Sequence, residues 1–177
     1  LNMVVHKGKT IFVGDTSVHE YPTSEQMAEI AISTARVVRL FGFEPKVAFV
    51  SHSTFGQPLT SRTKHIRNAV DLLKEKKVDF EFDGDMQPDV ALNSEYEELY
   101  PFSKIVGKAN ILIMPGQHSA AISYKMMKTL GDTKVIGPLL IGIGLPIEIA
   151  PLRSSTSDLI NLASIAAYSA DIIDYKK

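Results

Sequence analysis

Apolar and polar positions change period several times along the chain. Thr10-Ile11-Phe12-Val13 is a short apolar run closed by Gly14-Asp15, and the stretches 46–50 and 110–114 have the same buried-strand character. Phe80-Glu81-Phe82 alternates with period two, as a strand with one polar face does. Between these runs the period becomes helical. Met27, Ile30, Ala31, Thr34, Val37, Val38 and Phe41 recur at helix spacing behind Thr23-Ser24-Glu25-Gln26, in which Thr23 and Gln26 can cap one another's amides. Gly42 stands where that helix should end. Ile66, Ala69, Val70 and Leu73 mark one face of a second helix over 61–76. A short helix is expected near 89–93, another from about 119 to 130 with Gly131 closing it, and a last one over about 155–175. Ser155 and Asp158 open the last one with the spacing of a capping box. Positions 135–149 hold two apolar pieces separated by Gly142, Gly144 and Pro146.

Strands alternating with helices predict an α/β domain, with a sheet of about five strands. The 177 residues suffice for one domain with its own core. A net charge of -1 gives no basic surface for nucleic acid or for an anionic membrane. The longest apolar run, 136–143, is too short and too broken by Gly137, Pro138 and Gly142 to span a bilayer. Cysteine is absent, so thiolate catalysis, disulfides and cysteine-based zinc sites drop out, and a cytoplasmic setting is expected. The chain opens on Leu1 in an apolar, strand-like stretch, with no signal peptide. The expectation is a piece of a longer protein.

Four stretches can carry chemistry. Ser51-His52-Ser53-Thr54-Phe55-Gly56 joins a strand to a helix and is followed by Arg62, Lys64, His65 and Arg67. Hydroxyls, amides and cations at a helix start can hold a phosphate, although a surface loop with a solvated basic face explains the same residues more simply. Asp83-Gly84-Asp85 supplies two carboxylates for a cation or for acid–base work, but Asp-Gly is foremost a turn signal, and a turn is the expectation. Arg153-Ser154-Ser155-Thr156 can grip an anion or simply cap the last helix. Gly142-Ile143-Gly144 fails as a dinucleotide loop, because Pro146 and Ile147 occupy the place of its third small residue and helix start. The five histidines form no metal-ligand spacing, so no metal site is expected.

Several stretches together resemble the second half of the phosphate acetyltransferases. They are Asp15-Thr16-Ser17-Val18 leading to Pro22-Thr23-Ser24-Glu25-Gln26; Asp83-Gly84-Asp85-Met86-Gln87-Pro88-Asp89; Gly107-Lys108-Ala109-Asn110-Ile111-Leu112-Ile113-Met114-Pro115; Ile136-Gly137-Pro138-Leu139-Leu140; and Asp158-Leu159-Ile160-Asn161-Leu162-Ala163. The resemblance implies a three-layer α/β/α lobe with a mostly parallel sheet, isocitrate/isopropylmalate dehydrogenase-like in architecture, with the family's active site in a cleft between two lobes. It makes 1–154 the second lobe and 155–177 a helix that packs on the absent first lobe or on a partner chain. Without that lobe, the apolar surface of Ile160, Ala163, Ile165, Ala166 and Ala167 is expected to pack on this lobe or on another copy.

The family carries a Ser-Arg pair before the last helix and an Asp seven residues after the Ser. The Ser and Arg stabilise the transition state and bind the phosphate or acyl group, and the Asp deprotonates the thiol of CoA. In this register the Asp falls on Asp158, but Pro151 and Leu152 stand in place of the Ser and the Arg. No catalytic residue is therefore assigned. Ser53, Arg153 and Asp158 are the candidates for ligand contact, with Asp158 also a plain first-turn helix charge. Tyr100-Pro101-Phe102-Ser103-Lys104 and His118-Ser119-Ala120-Ala121-Ile122-Ser123 resemble the branch fused to bacterial NADP-dependent malic enzymes. That branch implies a module for regulation and homo-oligomerisation, with acetyl-CoA as effector. Malate oxidation with NADP and a divalent metal would then belong to missing N-terminal domains. The alternative is a piece of a working phosphate acetyltransferase.

Overall fold

In the computed structural model, which describes residues 1–172, the alternation seen in the sequence sorts the strand side chains onto two faces of one sheet. The strands are β1 (Asn2–His6), β2 (Lys9–Gly14), β3 (Lys46–Val50), β4 (Glu81–Met86), β5 (Ile111–Ile113) and β6 (Thr133–Ile136), in the spatial order β4-β3-β5-β2-β1-β6. β4, β3, β5 and β2 are parallel, whereas β1 pairs antiparallel with both β2 and β6. The sheet is thus mostly parallel with six strands rather than about five. The additional strand comes from an N-terminal hairpin. Lys7 and Gly8 both take positive φ (47° and 75°), the mirror-image turn that joins two twisted strands through two residues.

Five helices cover the faces: α1 (Ser24–Leu40), α2 (Ser61–Lys76), α3 (Pro88–Leu92), α4 (Gln117–Leu130) and α5 (Thr156–Ile172). Phe12, Val47, Phe49, Ile111 and Ile113 point to one face, where Met27, Ala31 and Val38 of α1 and Ile66, Val70 and Leu73 of α2 meet them. The intervening residues Val13, Ala48, Val50 and Leu112 point to the other, against Ala91 of α3, Ala120 of α4, Ile105 and Met114. Burying each large side chain contributes about 1.5–3 kcal/mol, so this period-two division is what holds the three layers in register.

The helix ends follow the sequence signals. Thr23 accepts from the Gln26 amide (3.2 Å), and Gln26 accepts from the Thr23 amide (2.8 Å). At the other end of α1 the amides of Gly42 and Phe43 donate to the carbonyls of Arg39 (2.9 Å) and Val38 (3.2 Å), the double bond pattern of a helix-closing turn. α5 lies on the α1 face of this same lobe. Leu162 is buried there, Ile165 is half-buried, and Tyr168 donates to the Leu40 carbonyl (2.9 Å) and stacks on Phe41. Leu159 and Ile160 of α5 remain exposed (48% and 60%), so only part of its apolar surface is covered within the lobe. The expected helix residues 173–175 lie outside the described residues.

One sequence expectation is overturned. Asp83-Gly84-Asp85 is not a turn but lies inside β4, paired in parallel with β3. Gly84 is required there because a Cβ would lie 2.7 Å from both the Cβ and the carbonyl oxygen of Phe49. The glycine serves close strand packing, and the dipeptide signal for a turn is overridden by burial between β3 and the loops above it.

Candidate functional site

The chain leaves β3 for α2 on one face of the sheet and β5 for α4 on the other. Adjacent parallel strands whose connections diverge leave a crevice at their carboxyl edge, where open α/β sheets take ligands. Here that crevice, open to solvent, has a volume of about 800 Å³. Val50, Ile66 and Met114 form its apolar inner wall, and Ser51, His52, Arg62, His65, His118 and Ser119 supply polar groups.

The walls are held by bonds from behind. His65 contacts the Pro22 carbonyl through Nε2 (2.9 Å) and Ser24 Oγ through Nδ1 (3.0 Å), which ties α2 to the start of α1. Bonding to a carbonyl makes Nε2 the donor, so His65 is a structural strut more than a free base. The Gln117 amide donates to the Glu20 carbonyl (3.2 Å), tying α4 to the loop after β2. That loop is organised by Asp15, whose carboxylate accepts from the amides of Ser17 (3.2 Å), Val18 (2.8 Å) and His19 (2.9 Å) and contacts His19 Nδ1 (2.5 Å). Burial alone would raise the pKa of Asp15. The amides and the imidazole outweigh it and hold the carboxyl below its usual range.

Ser53 does not face the crevice. It is fully buried, and its hydroxyl donates to the carboxylate of Asp85, itself fully buried. Asp85 also accepts from the Gly56 amide (3.0 Å), and its own carbonyl accepts from the Phe55 amide (2.6 Å). Arg67 Nη1 approaches to 3.9 Å from a half-exposed position. Asp83 is committed likewise, to the amides of Gly84 (2.9 Å) and Lys104 (2.8 Å). Neither carboxylate is placed for acid–base work or for a cation; both pin loops to β4. Of the four basic residues expected to gather after the Ser51–Gly56 loop, Arg62 and His65 reach the crevice, whereas Arg67 turns to Asp85 and Lys64 does not line it.

Arg153 and Asp158 lie elsewhere, together in a groove of about 140 Å³ beside β6 with Lys128 and Pro151. β3 and β6 are four strand spacings apart, about 19 Å, so Ser53 is not brought to the other two candidates. Arg153 has no hydrogen bond or ion pair among the described residues and is free to meet an anion. Asp158 is committed to the helix start. It accepts from the amide (2.9 Å) and hydroxyl (2.8 Å) of Ser155, and its own amide donates to Ser155 Oγ (3.2 Å). The Ser155 amide and hydroxyl, slightly opposed by burial and aided by Lys128 and Lys134, keep the Asp158 carboxyl below its usual range. Pro151 and Leu152 project into solvent, Leu152 completely.

Gly142 and Gly144 sit in an irregular stretch with no strand before them and no helix after, so the nicotinamide loop rejected from the sequence does not form. Among the described residues no group of three His, Asp or Glu side chains could hold a metal ion, and no helix is long and apolar enough to cross a membrane.

The phosphate acetyl/butaryl transferase family model matches residues 1–167, nearly the whole chain. The chain belongs to that family. It is 47% identical over 170 residues to an NADP-dependent malic enzyme of Rhizobium meliloti, covering 96% of this chain and 22% of that protein. It is 33% identical to the NADP-dependent malic enzyme of Escherichia coli, again over 96% of this chain and 23% of that protein. Against the phosphate acetyltransferase of Bacillus subtilis it is 34% identical, over 94% of this chain and 52% of that one. The chain therefore spans under a quarter of the malic enzymes and about half of the transferase. A phosphotransacetylase structure from Streptococcus pyogenes superposes with a TM-score of 0.89 at 30% identity, over 96% of this chain and 53% of that one. One from Staphylococcus aureus gives 0.88, also at 30% identity, over 96% and 53%. The sheet, its crevice and the helices around it are thus the family's fold.

Tyr21 and His118 of the crevice escaped the sequence reading. Both sit in loops or at a helix start with no spacing signal, and only the diverging connections of β3 and β5 bring them to one opening.

Proposed function

We propose that the chain is a regulatory and oligomerisation module of an NADP-dependent malic enzyme, that it binds acetyl-CoA, and that it does not itself transfer acetyl groups. The observation that carries this reading is the state of the loop before α5. The family resemblance puts a serine and an arginine where this chain has Pro151 and Leu152, and both side chains here are exposed and without hydroxyl or charge. Removing one preorganised electrostatic partner costs roughly 3–4 kcal/mol of transition-state stabilisation, so losing two leaves little transfer. Asp158 supports the same reading. It is present, but its carboxylate is occupied by Ser155 and held ionised, which makes it a good helix cap and a weak base.

Binding needs less than catalysis does. Arg153 remains unpaired beside Asp158 and is the candidate anion contact in the groove. Ser53, committed to Asp85, contributes by fixing the loop at the end of β3. An effector acts by binding one state of the attached oxidoreductase better than another, and its leverage equals that difference in affinity. In this reading NADP and the divalent metal are held by the parent chain's other domains. The exposed faces of Leu159, Ile160 and the apolar residues of 143–152 are the surfaces a neighbouring lobe or subunit would cover.

The test is made on the full-length natural protein, by equilibrium dialysis with acetyl-CoA alongside an assay for acetyl transfer from acetyl phosphate to CoA. Binding without transfer is the expected result. Transfer at a rate comparable to a free-standing phosphate acetyltransferase would favour the other reading, a piece of a working transferase, and sink this one.

A further inference from the structure

Helix α1 carries two stripes. Met27, Ala31, Ala35 and Val38 form the one buried against the sheet. Ser33, Arg36, Val37 and Leu40 form the other, again at helix spacing, and it faces a second cavity bounded by α5 and by the segment after β6. This cavity is open to solvent, has a volume of about 350 Å³ and shares no lining residue with the crevice or with the Arg153 groove. Its size lies in the usual range of small-molecule sites. Val37, Phe41, Leu139, Ile141 and Ile165 make its walls apolar.

Most of those walls are fixed in advance. Phe41 is stacked between Phe12 and Tyr168, with ring centroids 6.1 Å and 6.4 Å away and interplanar angles of 12°. Tyr168 also donates to the Leu40 carbonyl (2.9 Å), which ties α5 to the end of α1. The Leu139 amide donates to the Leu1 carbonyl (2.7 Å) and the Leu140 amide to the carboxylate of Glu148 (3.0 Å). Preformed walls lower the ordering cost of binding. The segment 142–146 closes the remaining side. Gly142 and Gly144 take positive φ (82° and 66°) there, and a Cβ at either would meet nothing within 4 Å, so this strap has room to adjust over an occupant.

Charge selects the occupant. Arg36 is the one cation in the lining; it is exposed and has no hydrogen bond or ion pair among the described residues. Glu148 is the one carboxylate in the lining, half-buried and engaged with the Leu140 amide. Burial raises its pKa, against the pull of that amide and of the terminal ammonium. One anionic group can therefore pair with Arg36, whereas a second finds no cation and shares the apolar lining with Glu148. We infer that this cavity binds a medium-chain monocarboxylate, an unesterified fatty acid, with its chain between α1, α5 and the strap and its carboxylate at Arg36. Dicarboxylates and phosphorylated ligands carry too many charges for it. The inference does not rest on the effector reading, because none of Ser53, Arg153 and Asp158 lines this cavity.

The test uses the full-length protein and an octanoate analogue with a diazirine at the end of its chain, irradiated and mapped by peptide mass spectrometry. Label is expected on peptides holding Val37, Ile141 or Ile165. Octanoate should displace it, and methyl octanoate, with the same chain and no charge, should not. Arg36→Ala should lower labelling about tenfold, as loss of a charge-assisted contact does, and Arg36→Lys should restore part of it. Arg36 is exposed, so neither variant should disturb folding, and unchanged thermal unfolding checks this. Label absent from those peptides would mean that the rest of the protein covers the cavity. Label displaced equally by methyl octanoate, or indifferent to Arg36→Ala, would mean apolar adsorption without recognition of the carboxylate. Each of these results overturns the inference. Acetyl-CoA binding measured on the same protein stands or falls separately: its loss with labelling intact sinks only the effector reading.

Discussion

Replacing Asp85 by alanine should loosen the loop that edges the crevice, and its cost can be worked from the contacts. The substitution removes the acceptor of two buried donors, the Ser53 hydroxyl and the Gly56 amide. A buried donor left without a partner costs about 1–3 kcal/mol. The Ser53 hydroxyl can rotate toward another oxygen, but the Gly56 amide is fixed by the backbone and cannot. Arg67, half-exposed at 3.9 Å, adds no more than about 1 kcal/mol. Relief from burying a polar carboxyl group works in the opposite direction. The net expectation is a loss of about 2–4 kcal/mol. Asp85→Asn separates hydrogen bonding from charge: its amide oxygen can still accept from Gly56, and its amide nitrogen can donate to Ser53 with the roles exchanged. It should cost about 1 kcal/mol or less. Urea unfolding of the module followed by circular dichroism measures both, and hydrogen exchange at the Phe55 and Gly56 amides reads the loop directly. If Asp85→Asn costs as much as Asp85→Ala, charge and not bond satisfaction holds the loop, and the reasoning fails.

Gly84→Ala should destabilise by about 2–4 kcal/mol in the same unfolding assay, because its Cβ meets the Phe49 carbonyl oxygen of the neighbouring strand at 2.7 Å; a cost under 0.5 kcal/mol would mean β3 and β4 separate more easily than their packing suggests. Thr23→Ala should cost about 1 kcal/mol through loss of the α1 capping box, with the loss concentrated in the first-turn amides by hydrogen exchange. Asp15 has a folded-state pKa below its unfolded one, so the stability it contributes is complete above the ordinary carboxylate pKa of about 3.9 and disappears as pH falls through the folded value. Asp15→Asn should therefore flatten part of the acid limb of a stability-versus-pH curve below about pH 4 and leave its slope near neutrality unchanged.

The elements with a strong local signal were legible in the sequence. The Thr23–Gln26 capping box, the Gly42 stop, the buried run over 46–50 and the helix over 61–76 all occur where the residue pattern puts them, because a cap or an amphipathic face is encoded within a few neighbouring residues. Asp83-Gly84-Asp85 misled for the converse reason. Its local chemistry favours a turn, but both carboxylates find amide partners twenty or more positions away, and Gly84 is selected by the proximity of Phe49. The crevice was legible only in part. Arg62 was visible as a cation at a helix start, whereas Tyr21 and His118 are almost a hundred positions apart and meet only through the topology of β2, β5 and the loops above them. Ser53 shows the limit of loop polarity as a site signal: a serine in a polar loop proved to be an interior strut.

The central claim is that this lobe senses an acyl-CoA for an attached oxidoreductase and no longer transfers acetyl groups. Malate-dependent NADPH formation by the full-length natural protein, followed with and without acetyl-CoA and beside an acetyl-phosphate-to-CoA transfer assay, tests it most directly. The account predicts that acetyl-CoA shifts the rate or the malate dependence by about fivefold or more, with no transfer detected. Acetyl transfer without malate oxidation, or malate oxidation indifferent to acetyl-CoA, would contradict it.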